Sequence, residues 1–156
     1  MNLRPLTPDD MHALSELARV CDETYLSWTP PGWVVPAAPP HWADRCLADD
    51  AWAMLGWDAD ALIASVAFRS HSESVAHVGL VFVHPSRWRQ GFAGRLMGLA
   101  EEEMRRRGYV REQLWTPDGA PAHDFRGAPA VVWRVSTALV RCPQRAAERW
   151  QLSGAK

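Results

Sequence analysis

The residues best suited to chemistry lie together in one stretch, Val81-Phe82-Val83-His84-Pro85-Ser86-Arg87-Trp88-Arg89-Gln90-Gly91-Phe92-Ala93-Gly94-Arg95-Leu96-Met97. An apolar run with strand character is closed by Pro85, and a basic turn then opens directly into a helix. Free backbone N–H groups at a helix N-terminus, with Arg87 and Arg89 beside them, make a site for a phosphate-bearing ligand, a diphosphate above all. Gly91 lets the backbone approach such a ligand without a Cβ in the way. The turn lacks both the Lys-Ser/Thr of a P-loop and the G-x-G-x-x-G spacing of a dinucleotide fold. A nucleoside triphosphatase is therefore not the expectation.

The flanking sequence supplies the elements that must hold this turn. A short strand is expected over residues 3–6. Thr7 then fits a helix N-cap, with Pro8 at the first helical position and Asp9 and Asp10 behind it. Met11, Leu14, Leu17 and Ala18 repeat at helical spacing to about Cys21. Residues 28–40 hold five prolines and two tryptophans, which predicts an irregular loop. A short helix follows over 41–47. Strands are predicted over 52–57 and 61–68, joined by a tight turn at Asp58-Ala59-Asp60. The polar stretch 69–74 reads as a turn, and the next strand covers 76–83.

The helix predicted over 91–107 carries an apolar face of Phe92, Leu96, Leu99, Ala100 and Met104. Glu101/Arg105, Glu102/Arg106 and Glu103/Arg107 are spaced as i,i+4 pairs, and Gly108 supplies a left-handed cap. A further strand spans 110–116. Beyond it come a short helix at 121–125 and two weakly patterned strands at 133–140 and 146–152. The order is α/β, with an antiparallel meander feeding one crossover helix.

The totals narrow the function classes. A chain of 156 residues with a formal net charge of −1 has no bulk attraction to nucleic acid or membrane. No apolar run approaches the ~20 residues of a membrane span. Cys21, Cys46 and Cys142 are odd in number, scattered and without metal-ligand spacing. They read as reduced thiols of a cytoplasmic protein, with no metal.

The sequence resembles the GNAT superfamily of acetyl-CoA-dependent N-acetyltransferases. The resemblance rests on Val83-His84-Pro85, on Gly91 and Ala93 at the two small positions that open the helix, and on the apolar pair Leu96-Met97. Trp88 stands where that signature has its first Gln or Arg. The opening Leu3-Arg4-Pro5-Leu6-Thr7-Pro8-Asp9-Asp10 and the segment Gly108-Tyr109…Leu114-Trp115 are also similar to the family. The resemblance runs in order to about residue 125.

It implies a single acetyltransferase domain over 1–156: a mixed, largely antiparallel sheet flanked by helices, splayed between the fourth and fifth strands. Acetyl-CoA would be the cosubstrate. Val81, Phe82 and Val83 would hydrogen-bond the pantetheine arm, and the backbone from Trp88 through Arg89, Gln90, Gly91, Phe92 and Ala93 to Gly94 would cradle the pyrophosphate. A primary amine of a small molecule or peptide would attack the acetyl carbon directly.

Glu73 and His77, before and on the strand that leads to the site, are candidates for the general base, though each reads first as a surface residue. His84 reads as a solvent-facing turn histidine. Tyr25, Trp28 and Trp33, with Trp42, fit either an aromatic wall of the acceptor site or packing of loop on core. The final part departs from the family pattern. Gly119 and Arg126 stand where an Asn and an acid Tyr are common, so the acid is unassigned; His123 and Asp124 could replace it, but read first as surface helix positions. A non-catalytic or impaired acyl-CoA-binding domain is the alternative reading. Residues 126–156 are divergent; if they do not pair, the bare edge of strand 110–116 would invite a homodimer.

Overall fold

The computed structural model describes residues 1–27, 31, 32, 34, 35 and 41–114. Trp28 and Trp33, and the helix, strands and acid candidates expected after residue 114, lie outside the described residues. Five strands, β1 (Asn2–Pro5), β2 (Trp52–Asp58), β3 (Ala61–Ser72), β4 (Val75–Val83) and β5 (Arg111–Leu114), form one sheet in sequence order. β1 to β4 are antiparallel neighbours, whereas β5 runs parallel to β4. That parallel step needs a crossover, and helix α3 (Phe92–Arg106) provides it. α1 (Met11–Glu23) and α2 (Trp42–Cys46) complete the described helices.

The helix-start residues work as their types predict, with one difference. Pro8–Asp10 forms a 3-10 turn, and the α-helix begins only at Met11. Asp10 is the reason. Its buried carboxylate accepts from the Thr7 backbone N–H at 2.9 Å and hydroxyl at 2.7 Å, and takes both guanidinium arms of Arg4 at 2.6 Å. These bonds hold the Asp10 carboxyl down at about 2 and fasten the start of the helical layer to β1.

The core lies between the sheet and α3. Leu96, Ala100 and Met104 pack on Ala64, Val66 and Phe68 of β3 and Ala76 and Val78 of β4. Gly108 adopts φ +87° behind the helix, as its cap position requires. Arg105 pairs with Glu101 and Arg107 with Glu103, but Arg106 turns to Glu103 rather than to the expected Glu102. The segment 69–72 is a second correction. It is not a turn: β3 continues to Ser72, and Arg69 and Ser70 pair with His77 and Ala76. Ladder bonds come from the backbone, so polar side chains do not stop a strand whose partner is in register.

β4 carries one irregularity. Ser65 faces Phe82 while Ala67 faces Gly79, leaving one extra residue on β4. Leu80 takes φ +53° there, and its carbonyl accepts from the buried Ser65 hydroxyl at 2.7 Å. This is a β-bulge. It reverses the side-chain alternation, so that Val81 and Val83 join Val78 in packing against the α3 cluster. β4 pairs with β5 only from Val75 to Val78. Past that point it has only β3 beside it among the described residues, β5 being described only to Leu114.

Candidate functional site

The open edge of β4 supplies the first half of the site. His84 N–H donates to the Ile63 carbonyl at 2.8 Å, so alternation aims the Phe82 backbone at β3 and the Val81 and Val83 backbones away from it. The Val83 carbonyl is already taken. It accepts from the Trp88 indole N–H at 2.7 Å and from the Cys21 thiol at 3.4 Å. What remains pointing away from β3 is the Val83 N–H and both polar groups of Val81. Of the three strand residues expected to meet a ligand, Phe82 has its backbone in the ladder instead.

The connecting loop is folded by its own residues. Pro85–Arg87 forms a 3-10 turn, and the His84 ring Nδ1 accepts from the Ser86 N–H at 3.3 Å. His84 is thus a half-buried cap of the turn rather than a solvent-facing residue. Trp88 N–H donates to the Pro85 carbonyl at 3.3 Å, so it does not belong to the cradle. Arg87 forms an ion pair with Asp58 of the β2–β3 hairpin. It ties the loop down and is not free to meet a ligand.

Arg89 and Gly91 both adopt left-handed backbone, at φ +61° and +77°. Gly91 is the N-cap of α3. Among the described residues the N–H groups of Arg89, Gln90 and Gly91 meet no backbone acceptor, and those of Phe92, Ala93 and Gly94 belong to the first helical turn, which has no internal acceptor. A Cβ at Gly91 or Gly94 would meet nothing within 4 Å. The result is a run of backbone donors with room beside Gly91 and Gly94 and exposed Arg89 next to it. It suits a diphosphate.

His77 lies in β4 ahead of the bulge. Its Nδ1 is buried without a hydrogen-bond partner among the described residues. Burial first, then the charges of Arg69, His71 and Arg45, push its pKa down to about 4. Glu73 sits exposed at the β3–β4 turn, four residues further back. Tyr25 lies half-buried in the 3-10 turn after α1, and burial, then Asp22 and Cys21, push its phenol up to about 12. Asp22 beside it was not singled out from the sequence; burial raises its carboxyl to about 6. An Asp next to the end of a helix gives no local sign that its carboxyl will be buried.

The sequence profile of the acetyltransferase (GNAT) family matches residues 15–125, which span the cradle and β4. The chain belongs to the GNAT acetyltransferase family. Solved GNAT structures share its fold. The PaiA N-acetyltransferase from Thermoplasma acidophilum, in complex with coenzyme A, is 15% identical with a TM-score of 0.62, covering 80% of this chain and 84% of its own. An aminoglycoside 6'-N-acetyltransferase complexed with coenzyme A is 20% identical with a TM-score of 0.54, covering 74% of this chain and 62% of its own. The aminoglycoside 6'-N-acetyltransferase from Enterococcus faecium is 15% identical with a TM-score of 0.54, covering 73% and 60%. This chain thus spans about three-fifths of the aminoglycoside enzymes. No curated protein sequence matches it significantly. Among the described residues no helix is long and apolar enough to cross a membrane.

Proposed function

We propose that this GNAT protein is an acetyl-CoA-dependent N-acetyltransferase that moves an acetyl group to a primary amine of a small molecule or peptide. The observation that carries the reading is the donor run from Arg89 to Gly94, shaped by left-handed Arg89 and Gly91 and open to solvent. It would hold the pyrophosphate of the cosubstrate. The free Val81 groups and Val83 N–H would bind the pantetheine amides as a neighbouring strand would. The bulge at Leu80 sets the register between Val81 and His77 along this edge, where thioester and amine would meet.

The general base is His77 rather than Glu73. At about 3.3 Å per residue, His77 is about 13 Å back along β4 from Val81 and Glu73 about 26 Å. With its pKa near 4, His77 stays neutral at working pH. A ring of such low basicity takes no proton from an ammonium; it would act on the uncharged amine, taking its proton through a water only as the acetyl carbon is attacked and that nitrogen becomes acidic. A ligand selective for the native state raises its stability. Coenzyme A is therefore expected to raise Tm in a dose-dependent way, and acetyl-CoA with an accepted amine to release free thiol steadily. An unchanged Tm at saturating coenzyme A would overturn the binding site. Firm coenzyme A binding with no thiol release across a broad amine panel would leave the non-catalytic acyl-CoA-binding alternative in its place.

A further inference from the structure

The face of the sheet opposite α3 carries a polar row. Arg69 of β3 pairs with His77 of β4, and His77 pairs with Gln113 of β5. Their neighbours one step along, Phe68, Val78 and Leu114, belong to the cluster under α3, so alternation puts Arg69, His77 and Gln113 side by side on the other face. All three are half-buried. Arg45 of α2, also half-buried, is close enough for its charge to act on His77 and on Cys46.

Neither Arg45 nor Arg69 has a carboxylate partner among the described residues. Nearby acids face elsewhere: Asp44 meets His41 at 3.2 Å, and Asp50 accepts from the Ser70 backbone N–H at 3.2 Å. Both arginines bury part of their stems, and their guanidinium groups stand without a carboxylate among the described residues. Beside them the buried His77 Nδ1 also waits for a partner.

We infer that the acceptor is an amine bearing its own anionic group, a carboxylate or a phosphate, which Arg69 and Arg45 hold while the amine faces His77. This rests on the acetyltransferase reading above and deepens it. A guanidinium fork matches either anion with two parallel hydrogen bonds. Cross-strand neighbours have Cβ atoms about 5 Å apart, so an anion seated on Arg69 leaves an amine a few bonds away beside the His77 ring. A polycation such as an aminoglycoside would meet like charge at the same place.

The test uses the full chain with acetyl-CoA, reading thiol release. The carboxylate arm runs from glycine to 6-aminohexanoate, each against its carboxamide, and the phosphate arm sets phosphoethanolamine against ethanolamine. 1,4-Diaminobutane represents the cations. In at least one arm the anionic member is expected to exceed its neutral partner by about tenfold or more in kcat/KM, mostly through KM. Arg69→Gln and Arg45→Gln should collapse that ratio, and Arg69→Lys should restore part of it. Coenzyme A-dependent Tm shifts report that each variant is folded.

Preference for the diamine or the neutral partners, or a ratio preserved in the Arg45→Gln/Arg69→Gln protein, would overturn the inference while acetyl transfer stands. If no amine releases thiol, the acetyltransferase reading fails, and the anion site is judged by binding alone. The winning anion class should then shift the His77 ring NMR signals in the native chain but not in the double variant, and absence of that shift overturns it.

Discussion

On the proposed reading, the two ends of β4 would serve one reaction with different materials. At the Val83 end the donors are backbone N–H groups, aimed by two left-handed residues, and the side chains there serve the loop itself. At the His77 end the functional groups are side chains from α2, β3, β4 and β5, brought together by register. A backbone cradle recognises what every substrate pair shares, and a side-chain cluster recognises what differs between acceptors. The two ends should therefore respond to mutation in different ways.

The largest effect is expected at Gly91. Any side chain there must adopt φ +77°, which costs about 1–2 kcal/mol for an L-residue, and it would project into the space the diphosphate needs. Gly91→Val should weaken coenzyme A binding by about 100-fold or more, read by calorimetry, with circular dichroism showing a retained fold. Binding within a few-fold of wild type would mean that the backbone of this turn is not the cradle.

His77→Gln sharpens the other end. Loss of the base should lower kcat by about 100-fold with coenzyme A affinity kept. Because burial and the cations around it hold His77 neutral down to about pH 4, the fall should be uniform between pH 5 and 9, and any rise with pH in that window belongs to the amine. Stability carries the same signature. The unfolded chain takes up a proton near the ordinary value of 6.5 and the folded chain only near 4, so wild-type stability is fully present above that ordinary value and falls on acidification through this window. His77→Gln should flatten that part of the curve in urea titrations. An unchanged slope would show that His77 is solvated like a surface residue.

Ser65→Ala probes the hinge between the two ends. Removing the hydroxyl that bonds the Leu80 carbonyl should cost about 1–2 kcal/mol in denaturant unfolding. It should also lower kcat more than coenzyme A affinity, since the bulge sets the register between His77 and Val81 and lies outside the donor run. Equal loss in both would merge the two ends into one unit.

The contrast also explains what the sequence disclosed. Pro85, Gly91 and the apolar spacing of Phe92, Leu96, Ala100 and Met104 are local signals, and a cradle made of local backbone could be read from them. The meander and crossover followed for the same reason. The bulge left no such mark, because Leu80 is an ordinary residue forced to φ +53° by a cross-strand hydroxyl and the ladder around it. The polarity of Arg69 suggests a turn, and only its pairing with His77 of β4 makes it strand. Arg45, Arg69, His77 and Gln113 are separated along the chain by a helix, a loop or a hairpin, so their meeting is a property of register. Side-chain sites assembled across a sheet are hidden for that physical reason.

The smallest expected effects separate two arginines that the sequence treats alike. Arg87 is tied to Asp58 across the hairpin, both partly exposed, so Arg87→Ala should cost under about 1 kcal/mol of stability. Arg89 is exposed beside the donor run and has no ion pair among the described residues. Arg89→Ala should therefore weaken coenzyme A about three- to fivefold at low salt, with the deficit shrinking as salt screens the charge. Arg87→Ala should change affinity by less than about twofold, because its guanidinium is already committed to Asp58. Isothermal titrations at two ionic strengths distinguish them. If Arg87→Ala proves the more damaging and its loss is salt-sensitive, the ion pair must yield to the ligand, and the Val83 end relies on side chains after all.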